Sequence, residues 1–169
     1  TVRFPVEGEE NVSLLAWTTT PWTLPANAAL AVNPKTVYAK ARLGDGDETE
    51  YVWIAEALLS KLTSEAEVVE TRTGAELVGM VYVPPYSVAG DASELYGLAE
   101  ALADADRPGH VWRVVAADYV TTEDGTGIVH TAPAFGMDDW QTGAKEGLPT
   151  FNPINPDGTF KDGFPLVGG

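Results

Sequence analysis

The chain has 169 residues, 44% of them hydrophobic and 21% charged, which suits one folded domain with its own core. A net charge of −15 with only 10 Lys and Arg excludes broad binding to a nucleic-acid backbone, because that needs basic groups to displace counterions. The absence of cysteine excludes disulfides and thiolate metal sites, and the two histidines, His110 and His130, are too far apart in sequence to suggest a zinc site.

No apolar run approaches the roughly 18–20 residues that a membrane span needs. The opening TVRFPVEGEE is neither a signal peptide nor a transit peptide. With no initiator Met, the chain reads as a domain cut from a longer protein.

In chain order, VSLLAW (12–17) is an apolar run of strand length. The strand is expected to run on through Thr20 and to stop at Pro21. After this Pro/Asn punctuation, AALAV (28–32) reads as a short strand and VYAKARL (37–43) as an alternating, half-buried one. GDGD (44–47) marks a turn, and TEYVWI (49–54) completes a hairpin. AEALLSKLTS (55–64) places Leu58, Leu59 and Leu62 at helical spacing. AEVVETR (66–72) is a strand, followed by a helical turn at GAEL.

MVYVPPY (80–86) reads as a strand ended by two prolines, and ASELYGLAEALADAD (92–106) as a helix. Residues 87–109 shift toward Ala and acid and read as a surface insertion. HVWRVVAADYV (110–120) predicts a long strand, EDGTG (123–127) a turn, and GIVHTAP (127–133) a buried strand. MDDWQTGAKEG (137–147) predicts a helix whose opening acids suit its dipole. NPDG (155–158) is a turn. Strands do not alternate regularly with helices, which argues against a doubly wound sheet. The pattern predicts a β-rich α+β fold, a distorted, closed or nearly closed β-barrel with peripheral helices.

Two segments carry chemistry. In WTTTPWTLPAN (17–27), a strand would put Thr18 and Thr20 on one face and Thr19 on the other. Each Thr offers a donor and an acceptor, and Pro21 ends the ladder. An edge strand of β-branched residues accounts for the same run. In GTGIVHTAPAFGMDD (125–139), a Gly-rich turn feeds a strand, a loop and a helix start, a place where sites are built. Taken singly, His130 also fits a satisfied core histidine, and Asp138 and Asp139 fit dipole capping. Adjacent helical residues point about 100° apart, so one acid can face a pocket while the other faces solvent. GDGD lacks a P-loop Lys-Ser/Thr, GTG is too short for a dinucleotide fingerprint, and no Gly-x-Ser-x-Gly elbow occurs.

Together, and in this order, WTTTPWTLPAN and GTGIVHTAPAFGMDD resemble the two defining motifs of the editing domain of isoleucyl-tRNA synthetase, the connective-peptide insertion of a class I enzyme. The resemblance covers most of the chain and is weakest over 87–109. Valyl and leucyl editing domains typically follow their Thr-Thr element with Arg-Pro, whereas Thr20-Pro21-Trp22 stands here. Neither HIGH nor KMSKS occurs, as fits an insertion separated from the synthetic site.

The resemblance implies that residues 1–169 are a single, monomeric editing domain of a cytoplasmic enzyme, with no cofactor, no metal and no membrane contact. Its implied partners are the aminoacylated 3′ end of tRNA(Ile), a valine moiety and the catalytic domain of the parent synthetase. Its implied activity is hydrolysis of mischarged valyl-tRNA(Ile), with valyl-adenylate as a second substrate. The need is physical: one missing methylene is worth only about 1–3 kcal/mol in a pocket, a general figure for which isoleucine against valine is the standard case. A second, smaller pocket excludes the larger product by clash.

By motif position the resemblance assigns Asp139, not Asp138, to the substrate ammonium. Thr18, Thr19 and Thr20 would hold ester, side chain and water, with Thr19, Thr20 and Asp139 catalytic in the sense of positioning. Trp17 and Trp22 would wall the pocket, His130 would set its size, and Asn27 occupies a position important for editing. Thr131, Ala132, Pro133 and Phe135 complete the expected substrate-binding set. No general base is evident in the sequence. The other reading is a non-catalytic β-barrel module that docks tRNA or the parent synthetase.

Overall fold

The computed structural model describes residues 1–46, 49–62, 66–85 and 111–161. Among the described residues, eight strands form two sheets. β1 (Val2–Pro5), β2 (Val12–Ala16), β4 (Val37–Leu43), β5 (Glu50–Ala55) and β6 (Glu67–Thr73) make a five-stranded sheet in the order β1-β2-β5-β4-β6. β3 (Ala29–Val32), β7 (Arg113–Ala116) and β8 (Ile128–Thr131) make a three-stranded sheet in the order β7-β3-β8. Both are mixed: β2 runs parallel to β5 and β3 parallel to β7, while the other pairs are antiparallel.

The sheets do not close into a barrel. Isolated bridges stitch them instead, Val6 to Tyr82, Val81 to Arg113 and Trp17 to Val129. β3 is buried at every residue, as a central strand covered on both faces must be. Phe4, Leu14, Leu30, Val32, Tyr38, Trp53, Ile54 and Ile128 meet in one core. Each fully buried Leu or Ile there contributes about 1.5–3 kcal/mol of transfer free energy. β6 is the opposite case. It is an edge strand with an almost wholly exposed pattern, and Glu67, Glu70 and Arg72 blunt its open side.

The helices are short: α1 (Leu59–Leu62), α2 (Gly74–Leu77) and α3 (Met137–Glu146). Among the α-helices of the described residues, only α3 exceeds four residues. It opens on Asp138 and Asp139, carries Lys145 in its last turn, and ends at Gly147 with φ 68, the left-handed stop that glycine tolerates. Arg113 ties its end to β7, with Nη2 at 3.2 Å from Glu146 Oε2.

Four expectations change. Trp17–Thr20 is not a continuing strand: β2 ends at Ala16, and Pro21–Ala26 forms a 3₁₀ helix with Pro at its start. The face assignment of Thr18, Thr19 and Thr20 by strand alternation therefore does not apply. The strand expected over 110–120 shrinks to β7. Trp112 adopts a left-handed φ of 55 just before it, and Ala117 and Val120 turn the chain away after it. The strand expected over 80–86 is reduced to bridge residues Val81 and Tyr82, since Pro84 and Pro85 have no N–H to pair. The segment expected as one helix over 55–64 begins as a 3₁₀ turn, Glu56–Leu58, before α1. The helix expected over 92–106 and the insertion over 87–109 lie outside the described residues.

Candidate active site

The two motifs meet because the end of β2 runs alongside β8, Trp17 pairing in parallel with Val129. Trp17 N donates to Ile128 O at 3.2 Å. The glycines of the GTG turn allow this approach. Gly125 has φ 73 and a Cβ there would meet the Trp17 ring, while Gly127 has φ 74 and a Cβ would strike Ala55. Only glycine satisfies both the left-handed backbone and the space.

Trp17, Thr18, Thr19, Thr20, Thr23, Val129, His130, Phe135, Gly136 and Asp139 line a pocket of about 280 Å³. The 3₁₀ helix makes one wall. Thr18 Oγ1 accepts from Thr20 N at 3.1 Å, which curls the threonines into the pocket mouth. Positions i and i+3 eclipse in a 3₁₀ turn, so Thr23 stands over Thr20, its N–H 3.0 Å from Thr20 O. The opposite wall is the start of α3.

Asp139 is half-buried, and its Oδ2 accepts from Ala132 N at 2.9 Å. Oδ1 has no hydrogen-bond partner, and the carboxyl no ion-pair partner, among the described residues. Burial pushes its pKa up, opposed by the Ala132 N–H and aided by the negative charge of Asp138. Asp138 is exposed and does not line the pocket.

His130 is 6% exposed. Its Nε2 lies 2.9 Å from Thr23 Oγ1 and its Nδ1 2.9 Å from Asn27 Nδ2. Burial depresses its pKa to about 4. The ring is neutral at pH 7 with both nitrogens engaged, so it has no lone pair to take a proton from water.

The remaining expected residues sit elsewhere. Trp22 is 57% exposed and outside the pocket lining. Asn27 is buried behind the pocket, where it holds His130 instead of touching the cavity. Thr131 follows His130 in β8 and so faces the other side of the sheet. Its hydroxyl makes no well-formed hydrogen bond, although the Tyr119 hydroxyl is near enough to interact with it. Ala132 serves through its backbone N–H. Pro133 packs under α3, where a Cβ on Gly143 would meet it at 2.8 Å, and lines a separate hollow with Met137 and Trp140.

Thr23 and Tyr82 are the residues that sequence reasoning missed. Thr23 had a signal: a Pro-led turn places it one 3₁₀ turn after Thr20. Tyr82 had none, because its contact with Asn27 spans 55 positions. A neighbouring hollow of about 350 Å³ shares Trp17 and Val129 with the pocket. Among the described residues, no group of three or more His, Asp or Glu could hold a metal ion, and no helix is long and apolar enough to cross a membrane.

No family model matches the chain. Curated relatives do. An isoleucine--tRNA ligase of Pyrococcus abyssi is 42% identical over 170 residues, covering 96% of this chain and 15% of the relative. That of Methanocorpusculum labreanum is 43% identical over 166 residues, covering 95% and 14%. That of Streptomyces coelicolor is 43% identical over 173 residues, covering 99% and 15%. The chain thus spans about 15% of the length of the curated relatives it matches. Among solved structures, GlLeuRS-CP1 superposes with a TM-score of 0.61 at 20% identity, over 86% of this chain and 56% of that one. The cytosolic leucyl-tRNA synthetase editing domain of P. knowlesi gives 0.55 at 16% identity, over 80% and 52%. The chain belongs to the isoleucine--tRNA ligase family, as a segment of it that has the fold of a synthetase editing domain.

Proposed function

We propose that the chain hydrolyses the ester of valyl-tRNA(Ile), and valyl-adenylate as a second substrate, as the proofreading domain of a larger synthetase. The observation that carries this reading is the Asp139 carboxyl, which lines a small pocket and lacks an ion-pair partner among the described residues. An aminoacyl ester presents an α-ammonium, the counter-charge this carboxyl needs. The bound ammonium would bring the raised Asp139 pKa back down, so substrate binding favours the charged carboxylate.

With the ammonium on Asp139, the amino-acid side chain extends toward His130 and Thr23, and the ester lies against Thr18, Thr19 and Thr20. The neighbouring hollow beyond Trp17 offers room for the terminal nucleoside. Water held by the threonine hydroxyls attacks the ester carbonyl carbon. The C–O bond to the ribose then breaks, and the water proton passes to the departing ribose oxygen with the adjacent ribose hydroxyl as relay. An activated ester needs positioning more than a strong base, which suits a site whose His130 is neutral and fully hydrogen-bonded. Specificity comes from exclusion, because the pocket must reject a product one methylene larger than valine.

The test is deacylation by the chain of valyl-tRNA(Ile), isoleucyl-tRNA(Ile) and small valyl and isoleucyl esters. Release of valine well above the buffer rate, with little release of isoleucine, is expected. The small esters matter because a chain of charge −15 has little grip of its own on tRNA. No hydrolysis of any valyl substrate would leave a binding module that docks tRNA or the parent enzyme.

A further inference from the structure

The buried hydrogen bonds behind the pocket run in one direction only. Ala29 O can only accept, so Asn27 must turn its Nδ2 toward it, at 3.0 Å. That orientation points Asn27 Oδ1 at the Tyr82 hydroxyl, 2.6 Å away. The second Nδ2 proton then points at His130 Nδ1, 2.9 Å away. Nδ1 must accept, so the proton of the neutral ring sits on Nε2 and is donated to Thr23 Oγ1. The Thr23 hydroxyl in turn donates to Thr20 O at 2.8 Å. Reversing any one bond leaves two donors or two acceptors facing each other.

The relay begins at Tyr82. Its side chain is 2% exposed, and its ring meets Phe4 edge-on at 5.3 Å between centroids. Tyr82 lies on the segment that bridges to Val6 in one sheet and, through Val81, to Arg113 in the other. Asn27 is held from behind as well, since Trp112 Nε1 donates to Asn27 O at 3.1 Å from a left-handed backbone that a tryptophan adopts only under constraint. The whole assembly sits outside the cavity lining until it reaches His130 and Thr23.

We propose that Tyr82 is a positioning residue for the pocket: its hydroxyl satisfies Asn27 Oδ1 in the orientation that Ala29 O sets, and so secures the amide that holds His130 as the Nε2–H tautomer and, through Thr23, anchors the Thr20 carbonyl at the pocket wall. The effect on selectivity rests on the hydrolytic reading above; the tautomer does not. Without the Tyr82 hydroxyl, Asn27 Oδ1 is a buried acceptor with no donor. Neither orientation of the amide then satisfies every group: turned over, it sets Oδ1 against Ala29 O and Nδ1, moves the ring proton to Nδ1 and leaves Nε2 competing with Thr20 O for the Thr23 hydroxyl.

Nitrogen-15 NMR of the imidazoles, at neutral pH and without substrate, tests the relay directly. The wild-type chain should show His130 as one neutral tautomer protonated on Nε2. Tyr82→Phe should draw the two His130 nitrogen shifts toward each other, which marks mixed tautomers. It should also reduce the preference for valyl over isoleucyl esters about fivefold, the scale of one ordinary hydrogen bond. If Tyr82→Phe fails to fold, the wild-type chain supplies the test: the Tyr82 hydroxyl proton, bonded to Asn27 Oδ1, should be protected from exchange with water. A wild-type His130 protonated on Nδ1 overturns the proposal. So does a folded Tyr82→Phe chain with both the tautomer and the ester preference unchanged, or a wild-type Tyr82 hydroxyl proton that exchanges freely with water. Because the spectra need no substrate, failure of the relay is distinguishable from failure of the hydrolytic reading.

Discussion

Asp138 and Asp139 show how much one position along a helix decides. Both open α3, but Asp139 reaches the pocket and Ala132 N while Asp138 is exposed. On the proposed function, Asp139→Ala removes the counter-charge for the substrate ammonium. A hydrogen bond to a charged group is worth about 1.5–3 kcal/mol, so valyl-ester kcat/KM should fall by about 10- to 100-fold or more. Asp138→Ala should change it by less than about threefold. Parallel deacylation assays on the two variants check this, and a larger loss at Asp138 would reverse the assignment. His130 is buried as a neutral ring, and its folded pKa of about 4 lies below the ordinary 6.5. Between those values the unfolded chain binds a proton that the folded chain refuses. The stability at stake is full above about pH 6.5 and is lost as pH falls toward 4, a difference of about 3 kcal/mol. Urea titrations across that window should show the acid-side loss shrink by about this amount in His130→Gln relative to wild type. Truncation to His130→Ala opens the wall and leaves Thr23 and Asn27 with lost partners. It should admit isoleucyl ester while lowering the melting temperature. A variant that melts lower yet still rejects isoleucyl ester would show that His130 supports the wall without forming it.

At the scale of elements, the site depends on tight turns more than on long helices. The 3₁₀ helix Pro21–Ala26 converts a run of threonines into a curved wall, and the GTG turn lets β8 lie against the end of β2. Gly127→Ala would combine left-handed strain, about 1–2 kcal/mol, with a clash against Ala55. A loss of more than about 2 kcal/mol is expected in chemical denaturation, against little change for Gly8→Ala beyond its own backbone strain, since a Cβ there meets nothing within 4 Å. Equal losses at the two glycines would mean that the approach to Ala55 is not tight.

For the whole molecule, charge and topology set what the chain can do unaided. With 25 acidic against 10 basic residues, the hold on tRNA that the proposed function requires would come from local contacts with the 3′ end or from other parts of a larger synthetase. We also propose that hydrolysis needs no metal or other cofactor. The chain has no cysteine, and its described residues gather no metal-ligating cluster. Valyl-ester deacylation should survive exhaustive chelation with its rate unchanged within about twofold. Loss with EDTA and recovery on adding one divalent ion would overturn this.

Much of the architecture was legible from local patterns. Apolar runs and alternation located β3, β4, β5, β6 and β8 to within a residue or two and the start of β2, and acids at its start with a glycine at its end marked α3. These signals act over a few residues, so the sequence carries them directly. The two motifs were also legible as chemistry, because unusual residue types cluster in short stretches. Pairing across the sheets was not. Whether the sheets close, where β7 stops and how Thr18–Thr20 turn depend on bridges such as Val6 to Tyr82 and on the left-handed Trp112, which are long-range or strained features with no local signature. The same holds for Asn27 and His130. Composition allowed either a core histidine or a pocket residue, and only the tertiary structure made it both, by placing a tyrosine 55 positions from Asn27 at the head of the chain of hydrogen bonds that orients the ring.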